Sequence, residues 1–339
     1  MQRISLENVD LEGANNAYLI DTDETTVLVD TGESAREQTL RAALDDEGVS
    51  FADVDEVFLT HWHPDHSGLA GLIQEESGAT VRIHERDAPL ARHDDAAWSE
   101  FSEIQQSRLE AWGVPEAKRQ QLFDHRAEAD ITERASLSSV ASFADGETFA
   151  VGDHVLRVVH TPGHTAGSVC FALDDGTGTP GDVVTGDTLL PKYTPNVGGT
   201  DVRLEQPLDQ YLTALYDIAA ADYARAWPGH RAPIEDPARR AHEIIAHHEQ
   251  RAGRILGILD RLGPADVWTI STELFGQLEE FHILVGAGEA YAHLAHLEEQ
   301  GDVERVDGAY RLVDEVRDAV DGDDDTWSLS VSDDPSPGR

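Results

Sequence analysis

Thr60-His61-Trp62-His63-Pro64-Asp65-His66-Ser67-Gly68 is the stretch on which the reading of this chain turns. It follows VDEVFLT (54–60), an apolar and β-branched run that predicts a strand. The turn after that strand carries three imidazoles and a carboxylate at His61, His63, His66 and Asp65. Neutral imidazole and carboxylate are good ligands for borderline divalent metals such as zinc. A tight turn lets His61 and His63 point one way while Asp65 and His66 point another. That arrangement suits two adjacent metals better than one. The competing reading, a solvent-exposed polar loop, leaves so dense a run of ligand-type residues without a purpose.

Three later segments repeat the pattern of strand, short turn and ligand: Thr161-Pro162-Gly163-His164, Thr185-Gly186-Asp187-Thr188 and Trp227-Pro228-Gly229-His230. Each sets one His or Asp at a strand end beside a glycine, where the backbone can turn sharply toward a site. Alone each signal is weak. Together they add two imidazoles and a carboxylate and complete a two-metal ligand set. Asp30 has two readings, a turn-forming residue or an acceptor for the N–H of a ligand histidine, which would fix its tautomer. Lys192 and Tyr193 closely follow Asp187, and either line a substrate pocket or belong to a solvated loop. Trp62 reads as a packing residue, Thr165 and Ser168 as hydrogen-bonding neighbours of His164, and Cys170 as a small buried hydrophobe. His84, His154 and His160 fall on predicted strands and read as packing or surface residues. His247 and His248 are adjacent on a helix and face different directions. His293 and His296 share a helix face but have no third ligand in sequence, and read as structural.

Upstream, NAYLID (16–21) and TVLVD (26–30) predict two strands, and 34–47 a helix with Leu40, Ala43 and Leu44 on one face and Ser34 as N-cap. A helix from about Ser67 and a strand at 80–84 follow. Residues 87–135 are charged and helical in period, and read as a helical insertion over one edge of the domain. Strands are expected at 147–151, 155–160, 168–173 and 182–185, with a turn-rich loop at 174–181, then a helix at 205–220 and a strand at 224–227. From about 238 the pattern becomes a long helix (239–262), two more (271–279 and 287–300) and a hairpin turning at Asp307-Gly308. Helices followed by a small hairpin are the outline of a winged-helix domain. The acidic, Ser/Pro/Gly-bearing stretch 318–339 is expected to be disordered.

The chain has 339 residues, 25 Lys+Arg, 66 Asp+Glu and a formal charge of −41. At 40% hydrophobic residues it can bury a core despite that charge. Its overall field repels polyanions. Lys118 and Lys192 are the only lysines. Excess acid with so little lysine is the surface expected in molar salt, where charge is screened within ~3 Å. We therefore expect a halophilic protein. One cysteine excludes an internal disulfide and any cysteine-based zinc cluster. No apolar run reaches the ~20 residues needed to span a bilayer. No apolar signal region follows the start, so a cytoplasmic location is expected.

His61-Trp62-His63-Pro64-Asp65-His66 followed by His164, Asp187 and His230 resembles the metallo-β-lactamase superfamily, whose signature is HxHxDH with separate His, Asp and His ligands. Asp30-Thr31-Gly32 looks like the early Asp-Thr-Gly turn of that family. The resemblance covers about 1–237. The C-terminal part is similar to the winged-helix extension of the β-lactamase-like-protein-2 group, which includes single-strand endoribonucleases. The fold implied is α/β (α+β), a four-layer αββα sandwich with a helical insertion at 87–135, a connecting helix at 238–262 and a winged-helix domain at 263–317. By the same resemblance His61, His63 and His164 hold metal one, Asp65, His66 and His230 hold metal two, and Asp187 bridges. The metals implied are two divalent ions, zinc first, with iron and manganese as alternatives.

The chemistry implied is hydrolysis by a hydroxide shared between metals ~3.5–4 Å apart, with Asp65 and Asp187 as catalytic ligands. Similarity to hydroxyacylglutathione hydrolase points to a small-molecule ester or thioester. The alternative from the winged-helix resemblance is phosphodiester cleavage in single-stranded RNA. Residues 87–135 are too short for the inserted domain of the β-CASP nucleases, and class B lactamases lack the Asp187 bridge. Flavodiiron proteins replace a first-cluster histidine, which this chain keeps. A metal-binding module without catalysis is the rival from another class. Residues 263–317 hold three arginines against twelve acids. DNA binding is therefore not expected; a packing, dimerisation or substrate-shaping role for this part is expected instead.

Overall fold

The computed structural model describes residues 1–6, 13–128, 137–174, 181–314 and 316. The chain divides into two compact units. The first comprises Met1–Ser99, Ile131–Pro195 and Ala214–Ala241, and the second Glu100–Asp130, Asn196–Thr213 and the chain from His242 onward.

The first unit holds two sheets. One is a six-stranded sheet in sequence order: β1 (Gln2–Ser5), β2 (Asn16–Asp21), β3 (Thr26–Val29), β4 (Glu56–Phe58), β5 (Thr80–His84) and β6 (Ala141–Phe143). β1 to β3 run antiparallel and β3 to β6 parallel. The change of direction follows from the connections. A tight turn suffices between β2 and β3, whereas parallel neighbours need a crossover. That crossover is α1 (Glu37–Asp46) between β3 and β4, and α2 (Pro64–Ser67) with α3 (Ala70–Ser77) between β4 and β5. The other sheet has five strands, β7 (Thr148–Val151), β8 (His154–His160), β9 (Val169–Asp174), β10 (Asp182–Gly186) and β11 (Arg225–Pro228), ordered β11-β10-β9-β8-β7.

One apolar cluster joins the two sheets. Tyr18, Ile20, Val27, Val29 and Phe58 come from the first, and Leu156, Val158, Val169, Phe171 and Val184 from the second. Phe58 meets Phe171 edge-on at 5.6 Å between ring centroids. Burying each such ring contributes roughly 1.5–3 kcal/mol. This is the mixed α/β architecture with face-to-face sheets that the resemblance implies.

Strand direction then decides where the candidate ligands meet. β9 runs antiparallel to both β8 and β10, and β11 parallel to β10. The C-terminal ends of β8, β10 and β11 therefore lie at one end of the second sheet. The end of β4 joins them, because Thr60 O accepts from Val169 N at 3.0 Å where β9 begins. All four ligand-bearing turns leave these four strand ends.

Helices occupy the segment whose charge and period predict them: α4 (Ala88–Ala91), α5 (Asp95–Ala111) and α6 (Glu116–Glu128). α7 (Pro207–Ala220) lies between β10 and β11, and α8 (Pro237–Leu262) follows β11. The second unit continues with α9 (Val267–Phe275), α10 (Phe281–Gln300) and the hairpin β12 (Val303–Val306) and β13 (Ala309–Leu312). Asp307 and Gly308 both take positive φ, 51° and 86°, as the two-residue hairpin turn requires. Among the described residues no helix is long and apolar enough to cross a membrane.

One local expectation needs correction. Ser34 does not cap a helix; it opens a 3-10 turn (Ser34–Arg36), and α1 starts at Glu37 after Arg36 without a side-chain cap. β1 and β6 were not anticipated: β1 buries only Ile4 and β6 only Phe143, too little to register as a pattern. The stretch 318–339 and most of the loop 174–181 lie outside the described residues.

Candidate metal centre

His61, His63, His66, His164, Asp187 and His230 are all buried in the first unit, and the Asp65 side chain is 29% exposed. The hydrogen bonds on the outer nitrogens determine which atoms face inward. Asp30 Oδ2 accepts from Thr60 Oγ1 at 2.8 Å and from His66 Nδ1 at 2.9 Å, because a carboxylate can only accept. His66 Nδ1 thus carries a proton, and Nε2 points inward. Since the Thr60 hydroxyl proton goes to Asp30, Thr60 Oγ1 accepts from His61 Nδ1 at 3.1 Å, and His61 also presents Nε2. His230 Nδ1 donates to Gly13 O at 3.0 Å, again leaving Nε2 to face inward. Asn15 Nδ2 donates to Asp65 Oδ2 at 3.1 Å and holds that carboxylate in place.

The inward atoms converge in two groups. His61 Nε2 and His164 Nε2 each lie 3.0 Å from His63 Nδ1. Asp65 Oδ2 lies 3.5 Å from His66 Nε2 and 3.4 Å from His230 Nε2. Asp187 reaches both groups, with Oδ2 at 3.6 Å from His164 Nε2 and 3.5 Å from His230 Nε2, and Oδ1 at 3.3 Å from His66 Nε2. Ligands about 2.1 Å from one ion at tetrahedral to octahedral angles sit about 3.0–3.5 Å apart. Both groups have that spacing. His66 Nε2 and Asp187 Oδ1 are buried and make no hydrogen bond, facing only each other at 3.3 Å and the other inward donors. Buried polar atoms without partners are costly, and here they are atoms aimed at the point where the donors converge. The donor set therefore fits two divalent ions.

Electrostatics differ between the halves. Burial, reinforced by the neighbouring histidines, keeps His61 and His63 neutral, with His63 lowered to about 3. Burial works against protonating His66 and His230 as well, but Asp187 and Asp65 reverse it, raising His66 well above its ordinary value and His230 to about 11. Burial resists ionisation of Asp187, yet His230 and His66 outweigh it and hold the carboxyl far below its usual range. Without metal, the second half is a cluster of buried ion pairs. A divalent cation would replace those protons and keep the charge balanced.

Gly229 shows how closely the centre is built. A Cβ there would lie 2.4 Å from Asp187 Oδ1 and 2.5 Å from His66 Cε1. Trp62 is buried and meets Trp98 edge-on at 5.3 Å, as a packing residue should. Lys192 Nζ and the Arg231 guanidinium each lie 5.0 Å from the ring of Tyr193, which is 45% exposed. Cys170 is buried, and burial pushes its thiol up to about 11. His84 and His160 stack at 4.2 Å between centroids.

In the second unit His293 does not pair with His296. His293 Nε2 lies 3.2 Å from His248 Nδ1, and Glu289 is close enough to make the three a potential metal group. Glu289, however, is ion-paired with Arg251 and accepts from Val197 N at 3.2 Å, so its oxygens are already engaged. Sequence reasoning missed Asn15, Thr60 and Asp87. Each acts on a ligand or a ligand loop, and none carries a motif of its own.

These features define a class: two facing sheets whose strand ends present a seven-residue His/Asp constellation, six of its members buried. A family model described as the metallo-beta-lactamase superfamily matches residues 11–230. The chain belongs to that superfamily, whose members are typically hydrolytic enzymes. A crystal structure of a metallo-beta-lactamase family protein from Thermus thermophilus is 30% identical, covers 92% of this chain and 98% of its own, and superposes with a TM-score of 0.79. The beta-lactamase-like protein 2 homolog of Drosophila melanogaster is 28% identical over 247 residues, 73% of this chain and 68% of the homolog. Thioesterase pkgB of Emericella nidulans is 25% identical over 255 residues, 74% of this chain and 56% of pkgB. The chain spans about three fifths of the length of the first fungal relatives it matches.

Proposed function

We propose that the protein is a dinuclear metal-dependent hydrolase acting on an ester or thioester. The observation that carries this reading is the set of inward-facing donors, with Asp187 within 3.6 Å of ligands in both halves. His61, His63 and His164 would hold metal one, Asp65, His66 and His230 metal two, and Asp187 would be shared. Zinc suits the imidazole-rich donor set. When bound, two such ions supply a nucleophile from water at neutral pH and polarise the scissile carbonyl. Asp65 is the ligand side chain most open to solvent, and it would orient the attacking water. Asp30 and Gly13 O keep His66 and His230 in the tautomers that face inward. Lys192 and Tyr193 would meet the substrate beyond the metals. The likeness to a protein named a thioesterase favours the thioester.

A second reading, cleavage of single-stranded RNA, rests on the likeness to the beta-lactamase-like protein 2 homolog and on the order α9, α10, hairpin, which we read as a winged helix. One assay separates them. The zinc-loaded chain and its Asp65→Ala variant are given acyl thioesters, followed by thiol release, and a short single-stranded RNA in molar KCl. Thioester turnover that vanishes in the variant supports the first reading. RNA cleavage that vanishes while thioesters stay intact supports the second. Neither activity with two zinc ions bound leaves a metal-binding module.

A further inference from the structure

We propose that Asp87 is the positioning residue for metal one, the carboxylate that locks together the two loops delivering all three of its histidines. The proposal rests on the dinuclear reading above.

Asp87 stands at the N-cap position of α4, where an aspartate ordinarily accepts from its own helix. Its side chain makes no such bond. It is fully buried and turns toward the metal loops instead. Oδ2 accepts from Trp62 N at 3.3 Å and from Thr165 Oγ1 at 2.7 Å, and Oδ1 accepts from Gly167 N at 2.9 Å. Trp62 lies between His61 and His63, and Thr165 directly follows His164. One carboxylate thus ties the backbone between two ligands to the segment that follows the third.

The proton directions are fixed. Ser168 Oγ accepts from Thr165 N at 3.0 Å and lies 2.8 Å from Thr165 Oγ1. Thr165 Oγ1 donates to Asp87, so it accepts from the Ser168 hydroxyl. At least three donors therefore face Asp87, and only an ionised carboxylate accepts from all of them without presenting a proton. The geometry is tight. A Cβ on Gly167 would lie 2.6 Å from Asp87 Cγ and 2.7 Å from Oδ1. The metal-two side is tethered by other groups: His66 by Asp30, His230 by Gly13 O and Asp65 by Asn15. Loss of Asp87 should therefore act on one metal and spare the other.

The test is zinc binding to the chelator-stripped full chain, read by competition with a chromophoric chelator, with folding followed by circular dichroism. Asp87→Asn turns an amide N–H toward one of the donors at nearly unchanged volume. Gly167→Ala disturbs the clamp while leaving Asp87 in place, and serves if the first variant does not fold. Each should weaken one of the two zinc steps by about 10–100-fold and leave the other unchanged. Site assignment comes from two backgrounds. With His230→Ala, which disables metal two, Asp87→Asn should weaken the remaining zinc. With His164→Ala, which disables metal one, it should have no effect. Equal weakening of both steps, no weakening of either, or the reverse background dependence overturns the proposal. A wild-type chain that never takes a second zinc overturns the dinuclear reading instead.

Discussion

Asp30 Oδ2 lies 2.9 Å from His66 Nδ1, and both side chains are almost fully buried. The same oxygen accepts from the Thr60 hydroxyl, whose own oxygen faces His61 Nδ1. One carboxylate therefore sets the tautomer of a histidine in each half of the centre. Asp30 reaches that place from a left-handed backbone, φ 56°, which aspartate tolerates better than most residues.

Asp30→Asn should weaken zinc binding by about 10–100-fold, because an amide oxygen kept toward His66 and the Thr60 hydroxyl turns its NH2 against the Thr60 N–H that Oδ1 accepts at 2.8 Å. Chelator competition measures this directly. Zinc affinity equal to wild type would show that Asp30 serves the turn alone.

Gly229→Ala should lose metal and lower hydrolysis by about 100-fold or more, since the added methyl displaces Asp187 and His66. Zinc content and turnover of the purified variant decide it. A variant with two zinc ions and normal turnover would contradict the close approach at Gly229.

His84 gives a pH dependence of defined sign. Burial, then His160 and Arg86, lowers it from 6.5 to about 3 in the folded chain. Between those values the unfolded chain binds the proton more readily, so stability is full above about pH 6.5 and declines as the pH falls toward 3. His84→Gln should show a smaller drop in the urea midpoint between about pH 7 and pH 5 than wild type. An identical drop would remove His84 from the account.

A net charge of −41 predicts salt dependence. Raising KCl from about 0.1 M to about 3 M should raise Tm by about 10 °C or more, which at about 2–4 °C per kcal/mol is several kcal/mol of relieved repulsion. A Tm insensitive to salt would contradict the halophilic reading.

The seven candidate ligands were legible in sequence because each follows closely on a strand, and four of them fall within six residues. Asp30 was legible as a residue of interest but not in its role. The choice between turn-former and acceptor depends on His66 being brought within 2.9 Å, which only tertiary structure does. Asn15 and Asp87 left no signal at all. Asp87 is 25 residues from Trp62 and 78 from Thr165, and its partners are mostly backbone N–H groups that any residue but proline supplies. The contact of His293 with His248 left no signal for a similar reason. Helical period places it beside His296, but its partner His248 comes from another helix, 45 residues away. β6 was missed because three residues with one buried side chain carry no periodicity.

The central claim is a two-metal centre sharing Asp187. The most direct measurement is the zinc content per chain of wild type and Asp187→Ala, purified in molar KCl, alongside thioester hydrolysis. Wild type should hold two zinc ions and turn over, and the variant should hold fewer than two with turnover abolished. Two tightly held zinc ions and undiminished turnover in Asp187→Ala would contradict it.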